Sequence, residues 1–196
     1  MKIIDFNDEE ERDAYSHLVE YQVKPADLPG EYENFRPRET FPTGNLLCGD
    51  LIINEESTKQ LEVHPFPEWV VQLTRLDPIA AGKTQVDGYC IALNLTGKQV
   101  KKFTRKDWSE RKKMMKEKIK ASDLQADEII AFPMNPGICL KVQENVPHYF
   151  VSAQKDDKQV YPYCQVYEPS INWDELKPFG RFEPTAYFPL KEEIQV

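Results

Sequence analysis

The stretch Asp127–Ser152, D-E-I-I-A-F-P-M-N-P-G-I-C-L-K-V-Q-E-N-V-P-H-Y-F-V-S, decides the fold class. Apolar runs alternate in it with turn chemistry. Glu128–Phe132 and Ile138–Val142 are strand-like and are separated by a Pro/Gly turn. A second short turn, ending in Val146-Pro147, leads into a third strand that opens at His148. Short runs of Val, Ile and aromatic residues bounded by Pro, Gly and Asn read as β-strands. A histidine after a tight turn, at the head of an apolar strand, is placed to aim one imidazole into a small β-barrel.

Working outward, the same pattern recurs. Leu46–Ile53, Leu61–His64, Trp69–Leu76 and Val86–Leu95 are further candidate strands before this stretch, and Val160–Tyr167 is one after it. Such a succession, with little helix between, predicts a mainly β fold of the sandwich or barrel type. Two helices flank or interrupt it. Asn7 or Asp8 is a good N-cap, acids fill the first turn, and Ala14, Tyr15, Leu18, Val19 and Gln22 share one side. His17 falls off that stripe and is expected at the surface. A basic helix is expected over 104–120, capped by Thr104, with Trp108, Met115 and Ile119 at helical spacing. Between them, the passage holding Pro25, Pro29, Pro37 and Pro42 should keep no regular element. The tail carries Trp173, Phe179, Phe182, Tyr187 and Phe188 among prolines and is expected to wrap on the barrel or on a second subunit. The chain therefore reads as one domain over 1–196: a helical and irregular segment 1–43, a barrel 44–168 and a C-terminal wrap 169–196.

Composition narrows the function class. A chain of 196 residues can bury about 70 % of the surface it exposes when unfolded. Hydrophobic residues at 40 % place it among globular proteins rather than disordered ones. No apolar run is long enough to span a membrane. The first residues turn acidic at once, without the apolar core of a signal peptide, so a cytoplasmic location is the default expectation. The net charge of −8 argues against nucleic acid as a partner. The exception is the segment 98–120, where eleven Lys and Arg face only Asp107, Glu110 and Glu117. That face is either solvated or a dock for an acidic partner. Cys48, Cys90, Cys139 and Cys164 are widely spaced and each sits in an apolar strand, so they read as buried, reduced thiols rather than a zinc motif or a nucleophile.

Three stretches carry a resemblance to a known family. Phe6–Glu20, Leu61-Glu62-Val63-His64-Pro65, and Ala131-Phe132 with Gly137 and Asn145-Val146-Pro147-His148 resemble, in that order, motifs of the cupin superfamily and specifically of its ureidoglycolate lyase family. The resemblance implies a cupin-like jelly-roll β-barrel, with the basic helix as an insertion, and pairing of two copies as a homodimer. It departs from the family at Val63, Pro147 and Tyr149, where the family carries arginine, tryptophan and a second histidine. Those losses leave open a non-catalytic ligand-binding or interaction protein.

The activity implied by the resemblance is cleavage of a small carboxylate at a carbinolamine carbon, releasing urea from ureidoglycolate. Such a reaction needs a base, an acid and a cation for the substrate carboxylate. His148 is the expected base, because an imidazole titrates near neutral pH. His64 or Glu62 is the expected acid. Lys141 or Arg75 is the expected carboxylate clamp, although strand cations are ordinarily solvated. His148 and His64 also have a purely structural reading. Strand alternation puts Glu62 and His64 on one face, which a joint role requires. No cofactor is expected. The H-x-H of metal-binding cupins is missing, so Glu62, His64 and His148 would form at most a sparse three-ligand divalent-metal site.

Overall fold

The computed structural model describes residues 1–21, 46–53, 60–64, 66–75, 86–95, 128–155, 158–159, 162–169 and 186–189. Within them the chain runs β1 (Lys2–Ile3), α1 (Glu9–Ala14), β2 (Val19–Tyr21), β3 (Leu46–Ile52), β4 (Gln60–Val63), β5 (Glu68–Arg75), β6 (Gly88–Leu93) and β7 (Ile129–Met134). It continues through β8 (Cys139–Val142), β9 (His148–Ser152), β10 (Gln154–Lys155), β11 (Lys158–Gln159), β12 (Pro162–Pro169) and β13 (Ala186–Pro189). The expected helix 104–120 and the Pro25–Pro42 passage lie outside the described residues, as does most of the C-terminal wrap.

The strands form two main sheets. One has the order β1-β7-β6-β9-β4-β13 and the other β2-β8-β5-β12-β3, with β10-β11 a separate hairpin. No ladder joins the two large sheets among the described residues, so the mainly β expectation holds as a two-sheet architecture. Side-chain alternation shows how they face each other. Cys90 and Ala92 of β6, Ile130, Phe132 and Met134 of β7, and Phe150 of β9 meet Val70 of β5, Leu140 and Val142 of β8, and Cys164 of β12 in one buried cluster. The alternate residues Ile91, Leu93, Ile129, Ala131 and Tyr149 form a second cluster with Leu61 and Val63 on the other face of the six-stranded sheet. Trp69, Val71 and Cys139 do the same behind the five-stranded sheet. Each sheet thus buries apolar residues on both of its faces, which explains why these strands read as near-continuous hydrophobic runs.

Two turns set the register of the central strands. Between β7 and β8, Ile138 N donates to Asn135 O at 3.0 Å, with Pro136 and Gly137 as the inner residues. Gly137 has φ 88°, the left-handed position that such a turn assigns to glycine. Between β8 and β9, Asn145 has φ 62°, a conformation that asparagine tolerates better than most residues. Asn145 N also donates to His64 O at 2.7 Å, which staples the end of β4 to the head of β9.

The N-terminal helix departs from expectation. Asp8 does cap it, accepting from Glu11 N at 3.2 Å, but it ends at Ala14. Leu18 and Val19 were expected on its apolar side; instead the chain turns after Tyr15, and Val19–Tyr21 pairs with Val142–Leu140. Val19 is fully buried in the inter-sheet cluster. Six helical residues have little stability of their own, so an open strand edge that satisfies the backbone and buries Val19 wins. His17 is exposed, as expected, with its Nε2 3.3 Å from Asn94 Oδ1.

Candidate functional site

Strand alternation places a small polar group between the sheets. Leu61 and Val63 face the outer cluster, so Glu62 faces inward, directly opposite His148 in the β4–β9 pairing. His64 follows β4 and is 1 % exposed, and His148 is completely buried. Their rings lie 5.0 Å apart, edge to face. Glu68, the first residue of β5, reaches them from the opposite sheet and is 3 % exposed. Its Oε2 is 3.3 Å from His64 Nε2 and its Oε1 is 3.6 Å from His148 Nε2.

The main chain orients both imidazoles. His64 Nδ1 donates to Phe66 O at 2.7 Å, with the ring stacked on that of Phe66 at 4.8 Å. His148 Nδ1 donates to Val146 O at 2.9 Å. A carbonyl oxygen can only accept, so each Nδ1 carries the hydrogen and Nε2 is the nitrogen turned to Glu68. His148 Nε2 is buried and has no hydrogen-bond partner. Burial by itself would raise the Glu68 carboxyl. The facing His148 and His64 outweigh that and hold it down at about 2, so Glu68 is a carboxylate.

Cys90 lines the same face. Burial raises its thiol well above the ordinary range, and the charges of Glu68 and Glu62 raise it further. Cys90, Cys139 and Cys164 are all free and buried, and burial raises each of them. A thiolate nucleophile is therefore disfavoured at all three, in line with the sequence expectation. A second buried polar pair, Gln72 Nε2 donating to Asp87 Oδ2 at 2.7 Å, lies farther along β5.

Of the residues singled out in sequence, His148, His64 and Glu62 come together on the inner face. Lys141 does not join them. Lys141 alternates with Leu140 and Val142 and so points away from the inter-sheet space; its Nζ is 3.6 Å from Glu20 Oε2. Arg75 ends β5, opposite Pro162. It is about 23 Å of extended strand from Glu68. Its side chain lies outside the described residues. Glu68 itself is the residue that sequence reasoning missed. Its signal was the His64-x3-Glu68 spacing and an acid at the head of a strand that continues Trp69-Val70-Val71.

No protein-family model matches the chain, and no curated protein matches its sequence. No helix among the described residues is long and apolar enough to cross a membrane.

Proposed function

We propose that this chain is a cupin-like small-molecule enzyme that cleaves a carbon–nitrogen bond next to a carboxylate, with its chemistry at His148, His64 and Glu68. One observation carries the reading: the histidines of the two family-like motifs, distant in sequence, converge with their Nε2 atoms on one buried carboxylate.

The roles follow from the hydrogen bonds. His148 Nδ1 is committed to Val146 O, which leaves Nε2 as the base for the hydroxyl proton of a carbinolamine. As that O–H bond breaks, its electrons form the carbonyl of glyoxylate and the C–N bond breaks. The departing urea nitrogen takes a proton from Nε2 of His64 in its protonated form or from water. Glu68 stabilises the imidazolium formed on the way, as a buried carboxylate does beside a general base. Glu62 is half-buried and stands directly opposite His148 in the β4–β9 pairing.

A second reading, a non-catalytic ligand-binding or interaction protein, is favoured by the complete burial of His148. Glyoxylate release from ureidoglycolate, measured for the wild type and for His148→Ala, separates the two. The enzyme reading expects release by the wild type and its loss in a variant that still unfolds cooperatively. Equal release by both proteins, or none by the wild type, would overturn it.

A further inference from the structure

We propose that His64, Glu68 and His148 form a binding site for one divalent transition-metal ion at the boundary between the two sheets. The inference rests on the geometry of the three side chains and not on the lyase reading: a metal would occupy the His148 Nε2 lone pair that the lyase reading uses as a base, so the two are alternative uses of one site. One ligand atom from each lies within 4.8 Å of the others, and all three residues are buried.

The hydrogen bonds make this more than proximity. Both Nδ1 atoms are tied to main-chain carbonyls, at 2.7 Å for His64 and 2.9 Å for His148. That is the outer-shell arrangement by which proteins fix the tautomer of metal-binding imidazoles and raise the basicity of Nε2. Each Nε2 faces a different oxygen of one carboxylate, at 3.3 and 3.6 Å. Protonated at Nε2, the imidazoles pair with this carboxylate directly; deprotonated, they turn two lone pairs toward it, and a metal cation between them would relieve that repulsion.

The spacing fits a metal ion. Nitrogen and oxygen ligands about 2.1 Å from a metal are about 3.0 Å apart along an octahedral edge and about 3.4 Å along a tetrahedral one. The two nitrogen–oxygen separations lie within a few tenths of an ångström of such edges, and all three ligand atoms lie within 4.8 Å of one another, so a small inward shift of the side chains would bring them onto one ion. His148 Nε2, wholly buried and without a hydrogen-bond partner, is oriented as a ligand atom would be.

The donor set selects the class of ion. Two imidazoles and one carboxylate suit Zn(II), Co(II), Ni(II) or Fe(II), whereas Ca(II) and Mg(II) prefer oxygen alone. Three protein ligands leave at least one position for water or a small anion. The inner face carries Glu62 as well as Glu68, and Lys141 points away from it. A bound cation would therefore supply the positive charge that an anionic ligand needs there. The ligand set differs from the one expected in sequence, because Glu68 of the facing sheet takes the place of Glu62.

The test uses the whole chain, stripped with a chelator and titrated with Co(II), read by its visible absorption, and with Zn(II), read by competition with a chromophoric chelator. The expected result is one equivalent bound, weakened on the order of 100-fold or more in His148→Ala and Glu68→Gln. His17→Ala, at the exposed histidine, should bind like the wild type. Absence of stoichiometric binding by the wild type overturns the inference, whether or not the variants fold. Undiminished binding in folded His148→Ala and Glu68→Gln overturns it as well, since the metal would then lie elsewhere. No substrate is present, so failure to cleave ureidoglycolate and failure to bind metal are read independently.

Discussion

Replacing Glu68 by glutamine keeps the shape of the side chain and removes a carboxylate charge that both buried histidines face. With the imidazoles protonated, contacts of 3.3 and 3.6 Å correspond to a Coulomb attraction of about 5 kcal/mol each at an effective dielectric constant of about 20. Desolvation of the three groups offsets most of that. Breaking a buried pair from one side then costs about 3–5 kcal/mol, because a charge is left without its partner. For a chain of this size such a loss lowers Tm by roughly 6–20 °C.

The pH dependence has a definite sign. Glu68 is held below its unfolded value of about 4.3. Its contribution is therefore complete above that pH and is lost as the pH falls toward about 2. Urea unfolding of the wild type and Glu68→Gln, with EDTA present, should show the full deficit at pH 6 and a shrinking one between pH 4 and pH 3. A variant within 0.5 kcal/mol of the wild type at pH 6, at equal m-value, would refute the assignment of Glu68 as their counter-charge, as would a deficit that does not close in acid.

Three further expectations concern the scaffold. In Gly88→Ala the new Cβ would lie 2.7 Å from Val151 O and 3.1 Å from Pro162 Cγ. Gly88 is paired on both sides, so the sheet cannot yield easily, and a thermal melt should show a loss of about 1–3 kcal/mol. Cys90, Cys139 and Cys164 should resist alkylation until the protein unfolds, as mass spectrometry of the labelled chain would show. Burial raises these thiols, Cys139 to about 12, so their contribution is present below the unfolded value of about 8.5 and declines as pH rises, by about 1.4 kcal/mol per pH unit for each thiol. Tyr21→Phe removes the hydroxyl that donates to Pro133 O at 3.0 Å and should cost about 1 kcal/mol in chemical denaturation.

Much of the strand content is legible along the chain. The runs around Leu46, Leu61, Trp69, Val86, Glu128, Ile138, His148 and Val160 all appear as strands, with ends shifted by a residue or two. β-branched and aromatic runs between Pro, Gly and Asn leave few other options. Lys2–Ile3 is too short to announce itself, and it forms only because β7 offers a parallel edge. Val19–Tyr21 carries a helical pattern locally, yet pairing with β8 outweighs it.

The site is half legible. The amino-acid order by itself determines that Glu62 and His64 share one face, since strand geometry is a local property, and that His148 heads a strand after a turn. Which face of β4 looks inward is not local. Both neighbours of Glu62 are apolar, and each sheet buries apolar residues on both of its faces, so hydrophobicity cannot choose between them. The choice is made by sheet-on-sheet packing, which buries Leu61 and Val63 behind the six-stranded sheet and turns Glu62 and His64 toward β5. The same packing brings Glu68 across from the other sheet and turns Lys141 away. A partner that arrives from another sheet leaves no periodicity in the sequence, because its position depends on how two surfaces meet.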